Sequence, residues 1–146
     1  MAKHVSASGS IVVDRPVGTV FAFFADGEND PRWRGGVLSM TRNGPLGEGA
    51  TYTQKVSGPG GRAVDADIRV TAYEPEHRLA FVGIAGPVSP QGEYVFEPAG
   101  NGTRVTFSLS AELPAIKGLV MASMVQKTMD AEVAALPKAK AVLEAG

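Results

Sequence analysis

Three polar side chains lie in segments that otherwise alternate like half-buried β-strands. Gln54 stands between Tyr52 and Val56 in one segment, and Tyr94 lies in another. The alternation places all three on the apolar, inward face, where an amide or a hydroxyl needs a hydrogen-bond partner. Because an unpaired buried polar group costs about 1–3 kcal/mol, either a protein neighbour or a bound molecule must satisfy each one. The same groups are able to polarise a carbonyl or to relay a proton in a bound molecule.

The residue types that most often act as nucleophiles, bases or metal ligands are scarce. The chain has no cysteine and two histidines, His4 near the N-terminus and His77 at a turn between strands, and both are predicted to be solvent-exposed. Asp65 and Asp67 share one strand face, but this is the charged face that also carries Arg69, so we expect solvated carboxylates rather than an acid–base pair. The sequence therefore identifies no catalytic residue and predicts neither a metal nor a cofactor.

Composition bounds the class of protein. The chain has 146 residues, of which 44% are hydrophobic and 20% charged, with a net charge of −1. This length predicts a single domain over 1–146, and the balanced charge does not favour a nucleic-acid partner. No apolar run approaches the ~20 residues of a membrane span, and the N-terminus has no signal-peptide pattern. We therefore expect a cytoplasmic protein.

The elements that must position the polar side chains are a strand, two short helices, six further strands and a long helix. The first strand is predicted over Val5–Val13, a helix over Pro16–Ala25, and a short helix or turn within Asp26–Gly36. Turn-rich segments separate the six later strands, as is typical of antiparallel hairpins, and Asn101-Gly102 is the clearest hairpin signal. These strands are predicted over Val37–Arg42, Ala50–Val56, Ala63–Tyr73, Arg78–Ile84, Ser89–Glu97 and Thr103–Leu113.

The last segment, Pro114–Ala145, is predicted to be the main helix, roughly 45 Å long at ~1.5 Å per residue. Its first half is apolar nearly all round, so more than one of its sides must be covered. Pro137 removes one backbone hydrogen bond and is expected to bend the helix near Val133. A sheet with one apolar face, curved around this helix, would enclose a hydrophobic cavity.

The candidates for lining that cavity are inward-facing strand residues, the only tryptophan and the apolar half of the helix. The predicted ligand-binding residues are Trp33, Tyr52, Gln54, Val70, Phe81, Tyr94, Phe96, Phe107, Val120 and Met124. Two of them have a second interpretation. Trp33 is either a lid over the cavity mouth or a packing anchor, and Met124 is either an adaptable pocket wall or a core or dimer contact.

The order of elements and several short sequence words resemble the START-like helix-grip superfamily, which includes polyketide cyclase/dehydrase-like proteins and carriers of the birch-pollen-allergen type. The words lie at Ile11–Phe21, Asn29–Trp33, Gly47–Ala50, Tyr73–Leu79 and Gly102–Thr106. This resemblance implies an α+β helix-grip fold, in which a curved, seven-stranded antiparallel sheet wraps around the long C-terminal helix and two short helices follow the first strand. It also implies a hydrophobic cavity between the sheet and that helix.

Three functions are open at this point. The first is binding or carriage of a small, mostly hydrophobic or aromatic molecule, such as a lipid, without a cofactor. The second is a cofactor-independent polyketide cyclase or dehydratase that acts in the same cavity, with Tyr52, Gln54 or Tyr94 as its polar groups. The third is a protein-interaction module, possible as a homodimer, that uses the apolar half of the helix as its contact patch.

Overall fold

The computed structural model describes residues 3–86 and 88–146, apart from the side chains of residues 116–120. Among the described residues, eight strands form one antiparallel sheet in the order β1-β8-β7-β6-β5-β3-β2, and β4 pairs with β3 off this path. The strands are β1 Lys3–Val13, β2 Val37–Asn43, β3 Thr51–Ser57, β4 Ala63–Asp65, β5 Ile68–Glu74, β6 Arg78–Gly83, β7 Gln91–Ala99 and β8 Gly102–Leu113. The predicted seven-stranded α+β architecture is confirmed, with one short strand added.

Five helical segments accompany the sheet in the part of the chain that the structure describes, one of them a single 3₁₀ turn at Pro59–Gly61. The helix α1 spans Val17–Ala25 and a 3₁₀ helix spans Gly27–Arg32, so the two short helices predicted after the first strand are present. The long C-terminal helix consists of α2, Ala115–Ala134, and α3, Leu136–Ala145. Pro114 is the N-cap residue of α2, where its missing N–H removes no helical hydrogen bond.

The C-terminal helix bends at Ala135. The N–H of Ala135 donates to the Glu132 carbonyl at 3.2 Å, a tighter bond of the 3₁₀ type. Pro137 has no N–H to offer to the carbonyl of Val133, four residues earlier, so the regular pattern cannot continue through this turn. The predicted bend is therefore present, centred on Ala135 rather than on Val133.

The prediction of a single strand over Ala63–Tyr73 is wrong, because Ala66 and Asp67 separate this segment into two strands, β4 and β5. The side chain of Gln54, on the neighbouring strand β3, donates through Nε2 to the Ala66 carbonyl at 2.6 Å. The Asp67 carboxylate accepts from the Gln54 backbone N–H at 3.0 Å. These side-chain bonds supplement the backbone bond from the Ala66 N–H to the Gln54 carbonyl, 2.8 Å long, at the point where the strand is interrupted. Asp67 therefore has a structural partner rather than the solvated position expected for it.

The hairpin between β7 and β8 turns on Gly100 and Asn101, one residue earlier than the predicted Asn101-Gly102. Gly100 has a φ of 59°, which matches the first central residue of a type II′ turn. Gly102 instead begins β8, where a Cβ would lie 2.3 Å from the Val13 carbonyl oxygen. Glycine is needed there because of this close backbone approach.

The core lies between the inward face of the sheet and the helices. The C-terminal helices pack mainly over β1 and β8, and Met129, Leu136, Ala139 and Leu143 are buried along their apolar stripe. Aromatic rings from α1, the 3₁₀ segment, β7 and β8 fill the centre of the sheet. This aromatic cluster comprises Phe21, Phe24, Trp33, Tyr94, Phe96 and Phe107.

Candidate functional site

The inward face of the sheet encloses a small cavity beside the aromatic cluster. Its volume is about 30 Å³, enough for one or two water-sized groups and far below the ~300–1,000 Å³ of a typical ligand pocket. Its lining combines apolar side chains with amide, hydroxyl and charged groups. The lining residues are Phe24, Ala25, Gly27, Asp30, Arg34, Met40, Tyr52, Gln54, Ile68, Val70, Leu79, Phe81 and Tyr94.

The structure brings together half of the predicted ligand-binding residues at this cavity. Tyr52, Gln54, Val70, Phe81 and Tyr94 all line it. They come from strands β3, β5, β6 and β7, whose inward faces the alternation had predicted correctly.

The other predicted residues lie elsewhere. Trp33 is fully buried and packs edge-on against Phe24 and Phe107, with ring centres 5.6 and 6.1 Å apart, as a packing anchor does. Phe107 stacks on Tyr94 at 4.4 Å, and Phe96 belongs to the same buried cluster. Met124 is half exposed on α2, and the side chain of Val120 lies outside the described residues.

An ion-pair network that the sequence interpretation missed forms the charged side of the cavity. Arg34 Nη1 donates to Asp30 Oδ2 at 2.8 Å, and Arg34 Nε donates to Glu132 Oε2 at 2.5 Å. The three side chains are only 11%, 8% and 15% exposed. Arg34 therefore connects the 3₁₀ segment to α2 through charges that are almost completely removed from water.

Burial sets the protonation of this network, which we call the Arg34 triad (Asp30, Arg34 and Glu132). Burial raises the pKa of Asp30 to about 6, although the positive charge of Arg34 opposes the rise. Burial would lower the pKa of Arg34, but the carboxylates of Glu132 and Asp30 outweigh it and raise that pKa above its ordinary value. Two carboxyl groups face a single guanidinium, so the triad has an excess of one negative charge when both are ionised.

The polar atoms of the cavity differ in how well the protein satisfies them. The Tyr52 hydroxyl has a protein partner both as acceptor and as donor: it accepts from the Gly27 N–H at 3.2 Å and donates to the Ala25 carbonyl at 3.4 Å. Burial, together with the negative charge of Asp30, raises the pKa of Tyr94 well above its ordinary value, so this phenol stays protonated.

Gln54 leaves an acceptor without a partner. Its Nε2 must face the Ala66 carbonyl, since the reversed amide would set two carbonyl oxygens against each other. Oε1 is consequently directed elsewhere, is buried, and has no protein donor among the described residues. Asp30 Oδ1 and Trp33 Nε1 are also buried without a completed hydrogen bond, but the Trp33 N–H lowers the pKa of Asp30, so these two lie near each other.

Two sequence signals would have identified the Arg34 triad. Asp30 and Arg34 are four residues apart and flank the only tryptophan, which is the spacing of an ion pair on a helical turn. Glu132 lies three residues after Met129 and four before Leu136, so it interrupts the apolar stripe of the C-terminal helix. A carboxylate at such a position needs a buried cationic partner.

A larger depression, about 820 Å³, is lined mainly by outward-facing strand residues and shares Phe81 with the small cavity. Its lining includes the cross-strand pairs Ser6–Ser110 and Ser8–Ser108, which point away from the aromatic cluster. Arg78 and Glu93 at its border are 41% and 38% exposed, so this open groove lacks the desolvated charges of the small cavity. We therefore regard the small cavity, rather than this groove, as the candidate functional site.

Two kinds of site are not found in the described part of the chain. No described helix is both long and apolar enough to cross a membrane. Within residues 3–86 and 88–146, no three carboxylate or imidazole side chains come together as a metal ion would require.

Comparison with known proteins identifies relatives by family and by fold. The family model described as "Polyketide cyclase / dehydrase and lipid transport" matches residues 4–141. No curated protein sequence matches the chain. Together with the solved structures described next, the family match confirms the resemblance to the helix-grip superfamily.

Solved structures share this fold at low sequence identity. TTHA0849 from Thermus thermophilus is 24% identical, with a TM-score of 0.78 over 98% of both chains. The di-domain ARO/CYC protein StfQ from the steffimycin biosynthetic pathway is 14% identical, with a TM-score of 0.81 over 97% of this chain and 51% of StfQ. Ara h 8.0201 is 12% identical, with a TM-score of 0.70 over 99% of this chain and 100% of that chain.

Proposed function

Because the chain belongs to the polyketide cyclase/dehydrase and lipid transport family, we propose that it binds a small, mostly hydrophobic molecule between the sheet and the C-terminal helix. The observation that carries this proposal is a cavity lined by apolar side chains together with Gln54, whose Oε1 has no hydrogen-bond partner among the described residues. A buried acceptor left without a donor costs about 1–3 kcal/mol, and a ligand that supplies the donor recovers that energy.

The cavity of about 30 Å³ accommodates only the polar end of such a molecule. The apolar body therefore has to take space that a side chain fills in the structure. Phe81 is the best candidate, because it lines the cavity but is only partly buried, next to the partly buried Ile68. Its ring lies over Gly92, where a Cβ would be 2.1 Å from the ring atom Cζ. We place the body of the ligand where the Phe81 ring lies.

This proposal predicts opposite effects of two substitutions on the binding of the neutral fluorescent probe N-phenyl-1-naphthylamine. Phe81→Ala removes the ring that the probe must displace, so we expect about tenfold tighter binding, equivalent to ~1.4 kcal/mol. Val70→Trp fills the cavity, so binding should be lost. The measurement is a fluorescence titration of variants whose fold is verified by circular dichroism.

Val82→Ala is the matched control, because Val82 is the neighbour of Phe81 on β6 and points to the opposite face of the sheet. Its affinity should equal that of the wild type. Equal affinities of the wild type, Phe81→Ala and Val70→Trp would mean that the probe binds outside this cavity, and the proposal would be wrong.

A second function, cyclase or dehydratase chemistry, is favoured by the position of Asp30 in the cavity lining. Asp30 lines the cavity and has a pKa raised by burial to about 6, which suits a general acid–base group near neutral pH. Tyr94, kept protonated by burial, would serve as a hydrogen-bond donor to a substrate carbonyl. StfQ, which has the same fold, is an ARO/CYC protein of a biosynthetic pathway.

The enzyme hypothesis predicts that the protein cyclises a linear poly-β-keto substrate mimic and that Asp30→Asn abolishes turnover while the substrate still binds. Product is measured by chromatography, and binding by quenching of Trp33 fluorescence. Turnover no faster than in protein-free buffer would eliminate this function and leave the carrier function in place.

A further inference from the structure

We propose that the cavity selects ligands with a neutral hydroxyl group and rejects carboxylates, an inference that rests on the proposed ligand-binding function. The selective elements are Gln54 Oε1, the Tyr94 hydroxyl and the excess negative charge of the Arg34 triad. The side chains that line this small cavity are those of Asp30, Arg34, Gln54 and Tyr94. Glu132 is not part of the lining but forms an ion pair with Arg34.

The first step of the argument concerns hydrogen-bond direction. Gln54 Oε1 is an acceptor, because the Nε2 of the same amide is committed to the Ala66 carbonyl. Only a ligand group with an O–H or N–H can satisfy it. A carboxylate or a simple ketone offers lone pairs alone and would leave the Gln54 oxygen buried without a partner.

The second step concerns Tyr94, whose side chain lines the same cavity as Gln54. Tyr94 is 3% exposed, and its ring is fixed by stacking on Phe107 at 4.4 Å with 7° between the ring planes. The hydroxyl can donate to a ligand oxygen. A ligand hydroxyl is the simplest group that accepts from Tyr94 and donates to Gln54 through the same atom, and a volume of about 30 Å³ holds a group of that size.

The third step concerns charge. Arg34 is the cation that lines the cavity, but both of its bonded neighbours, Asp30 and Glu132, are carboxylates. The guanidinium is thus already neutralised, and the second carboxylate leaves the triad negative. In a site removed from water this negative charge repels a ligand anion much more strongly than it would at the surface. Fatty acids in their ionised form are therefore disfavoured.

The test compares three probes of equal ring size by fluorescence titration at pH 7.5. These are 2-naphthol (a neutral hydroxyl), naphthalene (no polar group) and 2-naphthoate (a carboxylate). We expect 2-naphthol to bind about tenfold more tightly than naphthalene, and 2-naphthoate to bind most weakly. Tyr94→Phe and Gln54→Leu should each remove the advantage of 2-naphthol over naphthalene. Tyr73→Phe, a half-buried tyrosine that packs on Phe21 outside the cavity lining, is the control and should keep the wild-type order.

A pH arm tests the charge directly. Between pH 7.5 and 5.5 the carboxylate probe stays ionised, whereas Asp30 takes up a proton near pH 6 in the presence of Arg34, Glu132, Trp33 and Tyr94. The affinity for 2-naphthoate should rise several-fold on acidification, while that for 2-naphthol should change less than about twofold. Asp30→Asn should abolish this pH response.

The possible failures are distinguishable. If naphthalene and 2-naphthol bind equally to the wild type, or if 2-naphthoate binds as tightly as 2-naphthol at pH 7.5, the hydroxyl selectivity is refuted while the binding function stands. If none of the three probes binds, the proposed function itself is refuted and this inference with it.

Discussion

Replacement of Arg34 by methionine is expected to lower the free energy of unfolding by about 3–5 kcal/mol, because it leaves two buried carboxylates without a cation. Asp30 and Glu132 are 8% and 15% exposed, so water cannot replace the lost guanidinium. A loss of this size is a large fraction of the ~5–15 kcal/mol by which a typical domain is stable. Urea denaturation at pH 7, followed by circular dichroism, measures the effect.

Arg78→Met is a closely matched control. Arg78 also lies between two carboxylates, Glu74 and Glu93, but its side chain is 41% exposed. Surface ion pairs contribute roughly 0–1 kcal/mol, so this variant should differ little from the wild type. Equal losses of stability in the two arginine variants would show that burial does not determine the importance of the Arg34 triad.

A third variant separates the charges from the packing. When Asp30→Leu, Arg34→Met and Glu132→Leu are combined, no charge remains to be buried, and much of the stability lost in Arg34→Met should return. The ligand site would nevertheless lose its charge selectivity.

Much of the fold followed from the sequence because it depends on local patterns. Alternation placed Tyr94, Val70 and Phe81 on the inward face, and the proline pattern predicted the bend in the C-terminal helix. The division of β4 from β5 did not follow, because it depends on the side chain of Gln54 on a different strand. A strand break accompanied by side-chain bonds from another strand has no local signature.

Of the candidate site, the sequence predicted only the apolar, amide and hydroxyl side chains on the strands, and not the charged side chains. The strand periodicity identifies Gln54 as an inward amide, but it cannot show which protein groups reach it. Asp30 and Glu132 are separated by about a hundred residues and meet only through Arg34, so their pairing depends on how α2 lies over the 3₁₀ segment. The small volume of the cavity likewise depends on the packing of rings such as Phe81, which periodicity does not specify.

The contribution of Asp30 to the stability of the protein should fall as the pH rises from about 4 to about 6. Its carboxyl has a pKa of about 6 in the folded state, raised by burial from an ordinary value of 3.8. In that pH range the folded state binds more protons than the unfolded state, so raising the pH favours unfolding. A pKa shift of about two units corresponds to about 3 kcal/mol of stability, and this contribution is fully lost above pH 7.

The measurement is the difference in unfolding free energy between the wild type and Asp30→Asn at pH values from 4 to 8. This difference should decrease by up to about 3 kcal/mol on going from pH 4 to pH 7 and then stay constant. Glu144→Gln provides a control of opposite sign. The Lys140 ammonium, 2.5 Å from Glu144, and the Asp14 N–H lower the pKa of Glu144, so its contribution should grow as the pH rises. A pH-independent difference for Asp30→Asn would mean that Asp30 is not desolvated, and the charge-selective cavity would lose its physical basis.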